Sequence, residues 1–254
     1  MDFINALVLL ANFLVVPAIS YGSQLALGAI GVTLIYGILR FANFAYGDLM
    51  AFGTMFAILF TWYFQSIGIS LGVFPTALIA IPFAIIITIL FSLLIDKFVF
   101  SYYRIKKSPP VTLAMVSIGV MFVINAIVRI IIGPFDRRFF DGERFILKAN
   151  EFKEMTGLNE GLTIKSTQVL TLFVTIVVVS ILFWFLNKTR TGKSMRAYSD
   201  NEDLALLSGI SPSRVVMITW IIAAILATIA GTLYGLDKSF KPFTYFNNLL
   251  PIFA

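Results

Sequence analysis

The residue types that carry most enzymatic chemistry are missing from this sequence: its 254 residues include no His and no Cys. Thiolate sites, disulfides and imidazole metal sites are therefore excluded, and no metal or other cofactor is expected. Thr191–Ser194 reads TGKS, which resembles the end of a phosphate-binding loop. Such a loop needs a glycine five residues before Gly192, but that position is Asn187, and no strand precedes it. Nucleotide hydrolysis by this chain is excluded on that ground. Ser92, Thr112, Ser117 and Thr228 lie inside apolar runs without His or paired acids, so they read as hydroxyls bonded to their own or a neighbouring helix rather than as nucleophiles.

Two polar stretches remain. In the first, Arg40–Asp48, the residues Asn43, Phe44, Tyr46 and Gly47 sit between Arg40 and Asp48, with apolar chain on both sides. Two short apolar segments around a Gly-containing polar break point to a discontinuous helix lining a pathway. Irregular backbone at that depth is tolerated only against protein or a water-filled cavity. A plain interfacial turn, with Arg40 and Asp48 wetted, fits the same residues equally well. Asn43, Phe44, Tyr46 and Gly47 are the candidate substrate-pathway residues.

The second stretch, Lys188–Arg214, has the pattern of a built surface. Ser199 and Glu202 fit a capping box that starts a short helix near Asn201. Leu204, Leu206 and Leu207 give that helix an apolar patch, Gly209 ends it, and Ser211 caps a new helix with Pro212 at its first position. A short capped helix between two apolar runs is expected to dock another protein.

The elements that hold these stretches are long and apolar. Hydrophobic residues make up 59% of the chain and charged residues only 13%, against about 25% in a soluble domain. The runs 74–95, 111–132, 168–186 and 215–235 each reach the ~20 residues of a bilayer helix. Arg129 is the charge within them, near a run's end, where it can snorkel to the interface. The fold class is all-α, a polytopic transmembrane helical bundle in the lipid bilayer, read as one domain over 1–254. An apolar run at 3–19 ends around Pro17–Tyr21, followed by 24–40 and 49–64, and Asp237–Asn248 leaves the membrane. Gly28 with Gly31, and Gly231 with Gly235, read as helix-packing positions. Asp2 and the lack of a basic start argue against a cleaved signal peptide.

The formal charge of +6 is read as topology rather than nucleic-acid binding. Lys97, Arg104, Lys106 and Lys107 give 96–110 the densest basic content, which places that loop in the cytoplasm. Alternation then makes 188–214 a cytoplasmic segment, 133–167 an extracytoplasmic one, and the N-terminus internal.

Two of these stretches carry a resemblance. Ala29–Gly31, Thr33, Tyr36–Ile38 and Asn43–Gly47 match A-I-G-x-T-x-x-Y-G-I followed by N-F-A-x-G. Arg196–Ala197, Asp200–Asp203, Ala205–Ile210 and Arg214 match a basic, acidic-turn, A-x-L-L-G-I pattern. The chain thereby resembles the LivH-type permeases of branched-chain amino-acid ABC importers. The resemblance implies a multi-pass permease in a bacterial inner (cytoplasmic) membrane. It also implies a second, LivM-like permease subunit, two cytoplasmic ATPase subunits that hydrolyse ATP, and a periplasmic substrate-binding protein. Arg196, Asp200, Glu202, Ala205, Leu207, Gly209 and Ile210 would form the ATPase-coupling segment. Tyr46 stands where that family often has His, Arg40 adds a charge, and the chain stops at FNNLLPIFA, which reads as a C-terminal truncation. Relatives of similar sequence make urea, short amides or other polar amino acids the alternative cargo. An ion-coupled secondary transporter is the alternative of another class, disfavoured because the span interiors hold almost no acids.

Overall fold

The computed structural model describes residues 2–69, 71, 74–139 and 145–253. Among them are six helices long and apolar enough to cross a membrane, so the chain is a multi-pass helical membrane protein. Helix α1 (Asp2–Leu10) runs through a π-helical turn at Ala11–Val15 into α2 (Val16–Leu39). Phe3–Leu39 is thus a single 37-residue helix, where the sequence suggested two segments broken near Pro17. Pro17 falls in the first turn after the π-helical stretch, where the wider backbone tolerates its missing N–H. At 1.5 Å per residue the helix is ~55 Å long, well beyond a ~30 Å hydrocarbon layer.

Helix α3 (Tyr46–Ser66) reverses direction, and α4 (Ala77–Ile95) follows. The basic loop expected at 96–110 is largely helical: a π-helical turn at Asp96–Phe100 leads into α5 (Ser101–Ile105). Arg104 folds back there to grip Asp96 with both guanidinium nitrogens, at 2.5 and 2.9 Å. Then come α6 (Pro110–Ile132), a small antiparallel pair of β1 (Phe145–Leu147) and β2 (Ile164–Lys165) around α7 (Ala149–Thr156), and α8 (Ser166–Lys188). The last elements are α9 (Arg190–Asp200), α10 (Glu202–Leu207), α11 (Pro212–Asp237), α12 (Pro242–Asn247) and α13 (Leu249–Phe253).

Helix α11 is the axis of the bundle, packed by α2, α3 and α4. Small residues let the helices close. A Cβ on Gly53 would lie 2.6 Å from Thr228 Oγ1, and one on Gly231 would lie 2.7 Å from the Met50 carbonyl oxygen. The Gly231 and Gly235 positions therefore serve packing within this chain. Gln24, early in α2, donates to the Leu233 carbonyl late in α11, while the end of α2 meets α9 ahead of α11, so α2 runs antiparallel to α11. Helix α3 passes from Tyr46 at Ala223 to Thr54 at Gly231 and runs parallel to α11.

The two ends of the bundle differ. At one end, Arg104 lies near enough to Tyr198 for its charge to act there, bringing 96–105 beside 188–214. At the other, Trp62 and Gln65 donate to the carbonyls of Arg138 and Phe139, and Arg137 pairs with Phe240 through the backbone. Asn12 bridges Gly161 and Thr163 at that second end. Since one helix joins Asn12 to Arg40, the N-terminal arm lies on the 133–165 side. Alternation along the sequence, with 3–19 as a separate span, predicts the opposite side.

Candidate functional site

The break at 40–48 is built from local backbone chemistry. Helix α2 stops because Arg40 turns into the left-handed region (φ 58°), a conformation that costs a non-glycine residue about 1–2 kcal/mol. Asn43 then nucleates α3: its Oδ1 accepts from the Ala45 N–H at 3.1 Å and its carbonyl accepts from Tyr46 N–H. The Phe44 N–H donates to Ser117 Oγ on α6 at 3.1 Å. Phe41 lies on Phe100, which stacks on Trp220. Ser117 and Trp220 sit about two turns inside α6 and α11, so the turn lies ~10 Å within the bundle. Phe41, Asn43, Ala45, Tyr46 and Asp48 are all at most 3% exposed. The chain reverses here as at an interfacial turn, yet the turn is enclosed by protein as a broken helix would be.

Of the sequence-predicted pathway residues, Tyr46 and Gly47 lie inside the packing. Tyr46 Oη occupies the space a side chain on Gly31 would need, and Gly47 lies under the Tyr245 carbonyl and Leu249. Asn43 lines a water-sized cavity shared with Ser92 and Trp220, whose buried Nε1 has no partner among the described residues. Phe44 is half-buried and meets Phe253, ring centres 5.7 Å apart.

That last contact comes from the stretch after α11. Residues 237–248 are expected from sequence to leave the membrane; α12, and α13 after it, pack back against α2, α3 and α6. Tyr245 Oη donates to the Gly231 carbonyl, and Ile252 reaches the face of Gly28. Tyr245, Leu249 and Ile252 form the buried face, while Phe243, Leu250 and Phe253 stay exposed. The helices are too short and proline-broken to register as a span, and only their fit to the glycine grooves reveals their place.

Asp48 is a functional candidate absent from the sequence-predicted pathway residues; the interfacial-turn reading leaves it wetted. It is buried inside α3, where Oδ1 accepts from Asn125 Nδ2 at 2.7 Å and Oδ2 has no partner among the described residues. One turn beyond Asn125 on α6, Arg129 is exposed with its guanidinium over the Phe243 ring, 5.9 Å from the centroid. The spacing Ser117–Asn125–Arg129 on one helix was the available signal.

The coupling stretch holds two helices, not one. Thr189 caps α9 by accepting from the Gly192 N–H at 3.0 Å. Gly192 is obligatory at this elbow, because a Cβ would lie 2.3 Å from the Phe185 carbonyl oxygen. This elbow is the structural use of TGKS. Met195 and Tyr198 are buried beneath α9, while Arg196 reaches Asn187 at 3.0 Å and Asp200 is exposed. Ser199 is not the cap of α10: its Oγ donates to the Gly37 carbonyl at 3.0 Å, and its own carbonyl accepts from the Arg40 guanidinium. Asn201 caps α10 instead, accepting from the Leu204 N–H, while Glu202 accepts from Tyr198 Oη at 2.6 Å. Burial and that carboxylate push the Tyr198 phenol above its usual range, so it remains a donor. Gly209 (φ 80°) closes α10 in a Schellman arrangement with Ile210, and Ser211 makes no side-chain cap bond to α11. Ala205 is buried and Ile210 half-buried, which seats α10 and leaves Leu204 at 61% and Leu207 at 85% exposure.

The model of a family described as branched-chain amino acid transport system / permease component matches residues 14–254. The high-affinity branched-chain amino acid transport system permease protein LivH of Escherichia coli K12 is 27% identical over 222 residues, covering 85% of this chain and 68% of that protein. BraD of Pseudomonas aeruginosa, a permease protein of the same description, is 27% identical over 222 residues, 87% of this chain and 70% of its own. A probable branched-chain amino acid transport permease protein LivH of Methanocaldococcus jannaschii is 27% identical over 241 residues, 93% and 70% of the two chains. No solved structure matches.

Proposed function

The chain belongs to the family of branched-chain amino acid transport permease components, and from that premise we propose that it is a transmembrane permease subunit of an ATP-driven importer of branched-chain amino acids. The observation that supports this beyond family membership is a direct link between a docking surface and a buried break. Helix α10 offers Leu204, Leu206 and Leu207 to a partner, and the adjoining α9 holds the end of α2 through Ser199, Gly37 and Arg40.

In this reading two cytoplasmic ATPase subunits hydrolyse ATP and receive α10 in a groove. Arg196, Asp200, Glu202, Ala205, Leu207, Gly209 and Ile210 form or support that contact. Closure of the ATPases moves α9, and α9 moves the turn at Asn43, Phe44, Tyr46 and Gly47, opening the pathway to one side at a time. In this reading the protein sits in a bacterial inner membrane, a second, LivM-like permease completes the bundle, and a periplasmic binding protein delivers cargo to the 133–167 face. The test is uptake of radiolabelled leucine by proteoliposomes holding the whole assembly. Uptake is expected only with ATP; ATP-driven uptake of urea without leucine overturns the cargo, and leucine uptake driven by an ion gradient without ATP overturns the class.

A further inference from the structure

Resting on the permease reading, we propose that Asp48, Asn125 and Arg129 form a zwitterion-reading site that holds the backbone of an α-amino acid while the neighbouring aromatic face takes its aliphatic side chain. Asp48 is 1% exposed, and among the described residues only one of its oxygens has a donor. A buried carboxylate oxygen without a partner is costly, and charged groups within a span mark pathways more often than scaffolding. Arg129 follows Asn125 by one turn, ~6 Å along α6. Among the described residues no ion pair joins it to Asp48. A buried carboxylate with one unpartnered oxygen, and a guanidinium one turn beyond the Asn125 that holds it, offer opposite charges to the two ends of an amino-acid backbone. The ammonium bonds Asp48 Oδ2, and the carboxylate takes the guanidinium fork.

Aromatic rings supply the apolar side of the site. Phe243 lies beneath the Arg129 guanidinium, and Phe253 meets Phe44 at the turn. These exposed rings lie on the face of α12–α13 opposite the buried Tyr245, Leu249 and Ile252. Charge balance supplies the selectivity. Asp48 and Arg129 cancel each other, so a zwitterion leaves no unpaired charge, whereas an amine or an acid of the same shape leaves one. Urea offers neither charge.

The experiment uses the assembled transporter in proteoliposomes, with Asp48→Asn and Arg129→Gln variants and recovery of the intact complex as the folding check. Leucine uptake is expected to fall about tenfold or more in each, as loss of a charged hydrogen bond implies. Competition separates positioning from general damage. For wild type, 4-methylpentanoate (leucine without its ammonium) and 3-methylbutylamine (leucine without its carboxylate) should both compete poorly with leucine. Asp48→Asn should raise the relative competition by the acid, and Arg129→Gln that by the amine. Unchanged uptake, or reduced uptake with both competition ratios unmoved, overturns the site. Wild type that imports no leucine overturns the permease reading and the site with it, a result visible before any variant is made. If one variant does not assemble, the competition ratio of the other still decides.

Discussion

Individual residues in this chain act through close approach more than through reactive groups. Gly231 shows the scale of the effect: a Cβ there would come within 2.4 Å of Thr54 Oγ1 and 2.7 Å of the Met50 carbonyl oxygen. Gly231→Ala should cost about 1–3 kcal/mol from overpacking and lower the melting temperature of the detergent-solubilised protein by several degrees. Gly119, on α6, has nothing within 4 Å of its added Cβ, so Gly119→Ala should be neutral or stabilising, gaining up to ~1 kcal/mol of helix propensity. Equal melting shifts would mean that α3 and α11 are not in this close contact. Sequence alone marks Gly231, paired with Gly235, as a packing position but not which helix it meets. The same limit hid Asp48, since burial of a carboxylate beside a turn depends on which face of α6 turns towards it.

The coupling stretch separates docking from transmission at the level of elements. The sequence shows α10 because Gly209 and Leu204–Leu207 carry local signals, but it conceals α9. The buried positions of α9, Gly192, Met195 and Tyr198, recur every three residues within an otherwise polar stretch, and glycine as a buried position escapes a hydrophobic pattern. Ser199 looked like a cap by spacing; tertiary contact with Gly37 claimed its hydroxyl instead. Two substitutions therefore divide the work. Leu207→Asp removes an exposed apolar side chain worth about 1.5–3 kcal/mol at a docked interface, and should reduce co-purification of ATPase subunits at least tenfold while the permease still inserts in the membrane. Ser199→Ala removes a single neutral hydrogen bond, about 1 kcal/mol; it should keep normal ATPase recovery and lower leucine uptake by about fivefold. Normal ATPase recovery with Leu207→Asp would remove α10 from the docking surface, and wild-type uptake with Ser199→Ala would remove α9 from the transmission path.

For the whole molecule the informative quantity is which end of the bundle faces which compartment. Apolar run lengths make α4, α6, α8 and α11 legible in the sequence, because ~20 residues of hydrocarbon have few other uses. The first helix is not legible in the same way, because Pro17 mimics a break. The helical turns through Ala11–Val15 make 3–39 continuous, and the contacts of Asn12 with Gly161 and Thr163 show on which side it begins. That one element reverses the N-terminal arm and predicts a labelling pattern. The chain contains no cysteine, so single cysteines can be introduced without background. Cysteines at Ile4 and Met155, 51% and 80% exposed, should both react with a membrane-impermeant maleimide added outside intact cells whose outer membrane has been opened. One at the exposed Lys193 should react only after the inner membrane is permeabilised. Protection of Ile4→Cys alongside reactive Met155→Cys would mean that the N-terminal arm crosses the membrane separately. It would restore two spans where Phe3–Leu39 forms one helix.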